Sequence, residues 1–257
     1  MLKELFNEYD NKSINSLFKY PSILTYHKLD KKGKKAINEL NSDINMCGPF
    51  WVTEKIDGSN IRIIITNDEY IIGTREKLVF FSYKENLLSN DIRPLIDYLN
   101  SNYIDNISKL QSLDLSGKIL VIYGELFGSK ITNSRYTDKI LNKYGYMIFD
   151  AYMIDIDEIK NILSMDIQKI VYWRDHHKKW YNNNQLQALS NLSGFKIVPL
   201  RNKVDNLPLN KDDTYKWLTN YKDSMVSLID KSSNAEGVVV RNFDRSYIRK
   251  IRIEEYI

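Results

Sequence analysis

Cysteine, histidine and long apolar runs are scarce in this chain of 257 residues. A single cysteine, Cys47, excludes an internal disulfide framework, and one cysteine with three histidines argues against a structural zinc site. No apolar run approaches the roughly 18 residues that a membrane span needs. The first residues include acids and no long apolar stretch, so they do not resemble a secretory signal. We therefore expect no membrane anchorage and a reducing, cytoplasmic location, which for a viral protein is the cytoplasm of its host.

The charge balance is almost even. Lys and Arg total 37 against 33 for Asp and Glu, and the net charge of +4 permits an anionic partner without demonstrating one. Hydrophobic residues make up 43% and charged residues 27%, which is typical of a globular protein and excludes disorder, collagen or a coiled coil as the main class. The basic stretch at residues 27–35 is interpreted as a solvated helix face or loop, with contact to a nucleic-acid strand as the alternative.

The apolar pattern predicts strands and helices mixed along the chain. Three runs with short Asn, Asp and Gly connections, residues 50–54, 60–66 and 70–75, predict an antiparallel meander. Further strands are predicted at residues 118–125, 146–153 and 196–200, and a hairpin at 237–242 with 246–253. Helices are predicted over most of residues 1–47 and at 83–112, 155–193 and 212–230, with Pro94 at a helix start or break. The fold class is therefore α+β.

The first candidate for chemistry is Lys55, which ends a predicted strand and is followed by Asp57 and Gly58. A lysine amine can act as a nucleophile, and a glycine turn lets a ligand approach the backbone closely. This short pattern alone is weak, because a surface lysine before an Asp-Gly hairpin turn gives the same letters.

Four more short motifs follow Lys55 in order, at residues 123–128, 147–150, 234–241 and 248–252. The first places Glu125 between two glycines at a strand end. The last places Lys250 and Arg252 on one face of a strand, because residues two apart point the same way. Each motif alone is typical of a strand end with a solvated charge.

Together and in this order, the motifs over residues 50–252 resemble the covalent nucleotidyltransferase superfamily of polynucleotide ligases and messenger-RNA capping enzymes. The flanking pattern at residues 54–60, with Arg75 and the segment at residues 20–23, is similar to ATP-dependent RNA ligases of the phage RNA ligase 2 type. The resemblance implies a nucleotidyltransferase (ATP-grasp-like) fold of antiparallel sheets with flanking helices. It implies sealing of RNA 5′-phosphate and 3′-hydroxyl ends through lysyl-AMP and AMP-capped RNA, as in RNA repair.

The resemblance also implies a role for each motif residue. Lys55 is the nucleophile, and Lys250 and Arg252 hold the α-phosphate of ATP. Asp57 and Glu236 hold a magnesium or manganese ion through its waters. The nucleotide-binding residues are Glu54 near the adenine edge, Phe149 and Val238 on the two adenine faces, Glu125 on the ribose, and Asn60 and Arg75 near the phosphates; Asp150, a family position, has either a site role or a structural one.

Two departures from the family pattern stand out. Arg252 replaces the usual lysine, so a planar fork stands where a point charge is expected. The sequence stops five residues after Arg252, and we therefore predict a single adenylation domain over residues 1–257 with no C-terminal OB or helical domain. The protein is expected to be a monomer. The alternatives are a DNA ligase, a GTP-dependent capping guanylyltransferase, and a non-catalytic nucleic-acid-binding remnant of the fold.

Overall fold

A computed structural model describes residues 1–41, 48–128, 136, 144–220 and 226–257. The chain forms two compact units. Unit 1 comprises Met1–Pro21, Ser59–Leu126 and Tyr146–Ile197, and unit 2 comprises Ser22–Gly58, Phe127–Gly145 and Val198–Ile257. No helix in the described ranges is long and apolar enough to cross a membrane. Cys47 lies outside the described residues.

Unit 1 is built on a five-stranded sheet flanked by helices. Its strands are β4 (Ser59–Ile65), β5 (Tyr70–Thr74), β6 (Leu78–Phe81), β7 (Lys118–Phe127) and β8 (Gly145–Asp155), in the order β6-β5-β4-β7-β8. Strand β4 pairs antiparallel with β5 and with β7. The central strand is buried on both faces, because Ile61, Ile63, Ile64 and Ile65 are all almost fully buried. This explains why its sequence does not alternate apolar and polar residues, although the buried Arg62 interrupts the isoleucines.

The helices of unit 1 begin where the sequence supplies caps. They are α1 (Leu2–Glu8), α2 (Asn11–Phe18), α3 (Arg93–Gln111), α4 (Ile156–Leu163), α5 (Ile167–His176) and α6 (Asn183–Ser193). The Asp10 carboxylate accepts hydrogen bonds from the first-turn amides of α2, and Asn182 forms a capping box with Gln185 at the start of α6. Pro94 lies in the first turn of α3, as predicted. The prediction of a helix from residue 83 was wrong, because α3 begins only at Arg93.

Unit 2 is built on a four-stranded antiparallel sheet. Its strands are β3 (Phe50–Lys55), β9 (Leu200–Val204), β10 (Gly237–Asn242) and β11 (Ile248–Arg252), in the order β11-β10-β3-β9. The unit also holds the two-stranded hairpin β1 (His27–Leu29) and β2 (Ala36–Leu40), helix α7 (Lys211–Asn220) and a final 3-10 turn (Ile253–Glu255). One face of the sheet packs into a core that includes Phe50, Val52, Val238, Val240 and Ile251.

Several sequence predictions in this unit were wrong. Residues 50–75 do not form one meander, because β3 joins the sheet of unit 2 whereas β4 and β5 join the sheet of unit 1. The helical prediction for residues 1–47 missed the hairpin of β1 and β2. Of the two interpretations of the basic stretch, helix face or loop, the turn between these strands fits the loop. The predicted strand at 196–200 is displaced to Leu200–Val204. The predicted helix at 212–230 is found as α7 over Lys211–Asn220, and residues 226–230 are not helical. Strands whose partners lie far along the chain leave little local signal.

Candidate active site

Strands β3, β10 and β11 bring the predicted nucleophile and a predicted cation into one row. Lys55 is paired with Gly237, and Gly237 is paired with Arg252 on its other side. Residues directly opposite each other in an antiparallel sheet point to the same face. Lys250 lies two residues before Arg252 and therefore shares that face. Three separate sequence motifs thus meet at one end of one sheet face.

Glu236 lies beside this row and contacts both of its charged ends. Its carboxylate forms an ion pair with the Lys55 amine. The other carboxylate oxygen lies 3.9 Å from Arg252 Nε. The Lys55 side chain is 24% exposed and that of Glu236 13% exposed, so this charge cluster is only partly screened by water. The Lys55 amine and the Glu236 carboxylate are therefore held together in this cluster.

Gly237 separates the two charged residues of the row, and no other residue fits there. A Cβ atom at this position would lie 2.0 Å from the backbone oxygen of Ile251. Backbone cannot move aside as a flexible side chain can, so the glycine is required for β10 and β11 to pair at this distance.

Arg252 is surrounded by acids. Its Nε lies 3.1 Å from an oxygen of Glu255, and its Nη1 lies 3.7 Å from Glu254. Burial raises the pKa of the Glu255 carboxyl, and the charges of Arg252 and Lys250 oppose that rise only in part. A guanidinium can bind two carboxylates at once in a fixed planar geometry. A lysine ammonium at this position could also bind two carboxylates, but with less geometric constraint. Arginine thus stands where the family pattern has lysine, and the buried acid Glu255 lies beside it.

Glu54 lies on the opposite face of β3 from Lys55, and its carboxylate is occupied. It accepts hydrogen bonds from Arg201 Nη2 at 2.8 Å, from Ser227 Oγ at 2.5 Å and from the Leu228 amide at 2.7 Å. Val238 is paired with Glu54 and therefore shares its face, where it packs in the core of unit 2. The structure thus separates these two predicted nucleotide-binding residues from the face of Lys55.

Asp57 follows Lys55 in the turn after β3. Its backbone amide donates to the hydroxyl of Tyr136 at 3.2 Å, and burial raises the pKa of that tyrosine. Within the described ranges, no group of three or more Asp, Glu, His or Cys side chains forms a ready metal cage.

The remaining predicted site residues belong to unit 1. Asn60 on β4 is paired with Glu125 on β7, so these two polar side chains lie side by side on one sheet face. Arg75 follows β5; its side chain is 55% exposed, and its Nε lies 3.9 Å from Glu76. The motifs that contributed Asn60 and Glu125 are far apart in the sequence, and the register of the sheet brings them together.

Phe149 on β8 is held by a residue near the start of the chain. The Tyr20 ring meets the Phe149 ring edge-on, with centroids 5.1 Å apart. The Tyr20 hydroxyl donates to the buried carboxylate of Asp150 at 2.7 Å. Asp150 therefore has a structural contact that fixes Tyr20 against the predicted adenine-stacking ring.

Sequence reasoning missed the residues that support the site. Arg201 and Ser227 hold Glu54, and Glu255 contacts Arg252, yet none of them lies in a recognisable motif. Glu255 could have been found from the sequence, because it is an acid only three residues after Arg252, just beyond the end of the strand. Arg201 and Ser227 carried no such signal, since they meet Glu54 only through the fold.

Comparison with known proteins identifies the family. The RNA ligase family model matches residues 48–252, and the chain belongs to that family. No curated protein matches the sequence.

Solved structures of Naegleria gruberi RNA ligase share the fold. A mutant apo form has a TM-score of 0.57, a form with PPi 0.56, and a mutant with ATP and Mn 0.54, each at 16% identity and covering 93% of this chain. The chain spans only 57% to 60% of the length of those three chains. At this identity the likeness establishes the α+β nucleotidyltransferase fold predicted from the motifs.

Proposed function

We propose that this protein is an ATP-dependent RNA ligase that joins a 5′-phosphate end to a 3′-hydroxyl end. The observation that carries the proposal is the row of Lys55, Gly237 and Arg252, with Glu236 in contact with both charged members, in a chain of the RNA ligase family. Such a row supplies a nucleophile and a phosphate-binding cation on one surface, which is what transfer of a nucleotide to a lysine requires.

In the first step the Lys55 amine attacks the α-phosphate of ATP. A nitrogen–phosphorus bond forms, the bond between the α-phosphorus and the bridging oxygen breaks, and pyrophosphate leaves. The amine must give up a proton and its contact with Glu236 before it attacks. Lys250 and Arg252 share the face of Lys55 and are placed to stabilise the negative charge that gathers on the phosphate oxygens.

Asp57 and Glu236 suit a magnesium or manganese ion. Both are carboxylates, the oxygen ligands that magnesium prefers, and two carboxylates suffice for an ion that keeps most of its water shell. Such an ion, when bound, would supply positive charge near the α-phosphate. Glu236 contacts two cationic side chains, so a metal ion bound there would compete with Lys55 and Arg252 for its oxygens.

The second and third steps use the same charged row. The AMP moves from Lys55 to the 5′-phosphate of the RNA, which forms a phosphoanhydride and releases the amine. The 3′-hydroxyl of the other end then attacks that 5′-phosphate, a phosphodiester forms, and AMP leaves with the electron pair. Each step is a displacement at phosphorus, so one set of cations serves all three.

The nucleotide-recognition roles rest on unit 1. We assign Phe149 to adenine stacking, Glu125 to the ribose hydroxyls, and Asn60 and Arg75 to phosphate groups. The buried positions of Glu54 and Val238 favour support of the strand that carries Lys55 over direct contact with adenine. A monomeric state and a reducing, cytoplasmic location stay predictions.

The decisive experiment is intact-mass measurement after incubation with ATP and magnesium or manganese. We expect one added AMP on the wild type, none on Lys55→Ala, and wild-type labelling of Lys179→Ala, an exposed lysine of unit 1. An adduct that survives in Lys55→Ala would overturn the assignment. Equal labelling by GTP would favour a capping guanylyltransferase, and no labelling at all would favour a non-catalytic remnant.

The choice of nucleic acid needs a second assay. Gel assays of sealing on matched nicks in RNA, DNA and hybrid duplexes should show joining of RNA ends. Joining of DNA alone, by a protein that still gains AMP in the mass measurement, would favour the DNA ligase alternative.

A further inference from the structure

The turn between β1 and β2 carries a cluster of lysines that the proposed chemistry does not use. We call residues 30–35, of sequence Asp-Lys-Lys-Gly-Lys-Lys, the lysine hairpin. Four of its six residues are lysines, and all six are exposed or half-buried on the surface of unit 2. The sequence predicted a solvated helix face or loop here, and the structure shows a six-residue turn that concentrates these charges at one tip.

The backbone of the lysine hairpin is fixed by Asp30. Its carboxylate accepts hydrogen bonds from the Lys32 amide at 3.1 Å and the Lys34 amide at 2.9 Å. The Asp30 amide donates to the Lys35 oxygen at 2.7 Å, and Gly33 adopts a φ of 66°. The hydrogen bond from Lys34 and the other backbone amides lower the pKa of Asp30. The only acid of the turn is thus engaged in shaping it.

One lysine of the lysine hairpin is hydrogen-bonded to the backbone, and the other three form no ion pair with the described residues. Lys35 Nζ donates to the Ile257 oxygen at 2.7 Å and to the Glu254 oxygen at 3.3 Å. Lys31, Lys32 and Lys34 are exposed, and within the described part of the chain none forms an ion pair. The neighbouring acids have other cationic partners: Glu39 pairs with Lys28, and Glu254 lies 3.7 Å from Arg252.

The lysine hairpin is attached to the strand that carries the catalytic cations. The Tyr26 amide, just before β1, donates to the Lys250 oxygen at 2.9 Å, and the Lys250 amide donates to the Leu24 oxygen at 3.0 Å. Beyond β2, Arg249 Nε donates to the Asn41 oxygen at 2.7 Å. Both open ends of the β1–β2 hairpin are therefore hydrogen-bonded to β11, and Lys35 ties the lysine hairpin to Glu254 in the 3-10 turn that follows β11.

We propose that the lysine hairpin binds the phosphate backbone of the RNA that is to be sealed. This inference rests on the proposed function, since it needs an RNA substrate at β11. Ammonium groups bind phosphates as point charges and carry no sequence information, so the contact positions the strand without selecting its bases. Because the lysine hairpin is fixed to β11, it holds the RNA strand at a set distance from Lys250 and Arg252. Flexible lysine side chains alone could not do this.

The test compares two triple variants that remove the same charge. In the first, Lys31, Lys32 and Lys34 of the hairpin are changed to alanine. In the control, the exposed lysines Lys3, Lys12 and Lys118 of unit 1 are changed to alanine. Binding of a 5′-phosphorylated single-stranded RNA is measured by fluorescence anisotropy between about 50 and 200 mM salt, and self-adenylation with ATP is measured in parallel.

We expect the hairpin variant to bind RNA more weakly. The slope of log K against log salt should become shallower by about 2, since each of three lost phosphate contacts on a single strand contributes about 0.7. Self-adenylation should stay at the wild-type rate, and the control should bind like the wild type.

Wild-type RNA binding by the hairpin variant would overturn the inference, as would equal losses in the two variants. Absence of RNA binding by a wild type that does become adenylated would also overturn it. Absence of adenylation on Lys55 would instead overturn the proposed function, so the two failures are distinguishable.

Discussion

Arg62 in unit 1 and Arg201 in unit 2 are both arginines of sheet strands, yet their partners differ. Arg62 donates to the backbone oxygen of Asn15 at 3.1 Å and to the Asn15 side chain, both of them neutral, and burial lowers the pKa of Arg62 to about 10. Arg201 donates to the buried carboxylate of Glu54. In unit 2, opposite charges are also paired at Lys55 and at Arg252.

This difference in partners suggests that the two units have different roles in the proposed reaction. The charged groups to which we assign phosphate transfer, apart from Arg75, lie in unit 2, where acids and bases pair with one another. The unit 1 residues assigned to recognition include an aromatic ring, an amide and a carboxylate, held by sheet register and by Tyr20. The following experiments test that division, from the largest expected effect to the smallest.

Loss of the two arginines should have unequal effects. Arg201→Met leaves Glu54 buried without its cation and should lower the free energy of unfolding by about 3–5 kcal/mol. Arg62→Met removes a costly buried charge and leaves only neutral acceptors, so we expect a loss of about 1–2 kcal/mol. Denaturant unfolding of both variants measures the difference. Equal losses would mean that the charge of Glu54 does not distinguish the two sites.

The glycines beside the motifs provide a second comparison. A Cβ at Gly237 would lie 2.0 Å from the Ile251 oxygen, and one at Gly124 would lie 2.5 Å from the Met147 oxygen and the Tyr146 ring. Gly237→Ala should therefore cost about 3 kcal/mol and Gly124→Ala about 2 kcal/mol. Gly117 has a φ of 67° and open space around it, so Gly117→Ala is the control, with a cost of about 1 kcal/mol from backbone strain alone. Thermal unfolding in which the control loses most would contradict this ranking.

The third comparison concerns self-adenylation kinetics. Glu236→Gln removes the negative charge that pairs with Lys55 and Arg252 and should lower the maximal rate by roughly 100-fold. Glu125→Gln keeps the volume in unit 1 and should chiefly raise the ATP concentration needed for half-maximal rate. Single-turnover labelling over a range of ATP concentrations separates the two effects. An equal fall in maximal rate for Glu125→Gln would break the proposed division between units.

The smallest effect is expected from Glu255. An acid whose pKa is raised in the folded state binds its proton more tightly there, so its contribution opposes folding above the unfolded pKa of about 4.3 and vanishes below it. Glu255→Gln should therefore melt slightly above the wild type at pH 7 and together with it near pH 4. Glu254→Gln, at a more exposed position, serves as the control. A lower melting temperature for Glu255→Gln at pH 7 would show that its pairing with Arg252 outweighs its burial.

The sequence predicted most of the strands that carry the motifs, because these strands have a strong local signal. Strands β4, β5, β7, β8, β10 and β11 were all anticipated to within a few residues. The hairpin of β1 and β2 was missed, since its lysine-rich stretch fits a solvated helix face as well as a loop. The assignment of β3 to the sheet of unit 2 was also missed, because its neighbours β9 and β10 follow it by roughly 150 and 180 residues.

The sequence by itself determined the order of the motifs, the nucleophile candidate and the family pattern, because these are properties of residue type and spacing. Only the tertiary structure decided which residues meet: Lys55 with Glu236, Glu54 with Arg201 and Ser227, and Tyr20 with Asp150. It also decided that Val238 faces the core and that the lysine hairpin is attached to β11. The physical reason is that strand register sets the face of every side chain, and register depends on partners that no local pattern specifies.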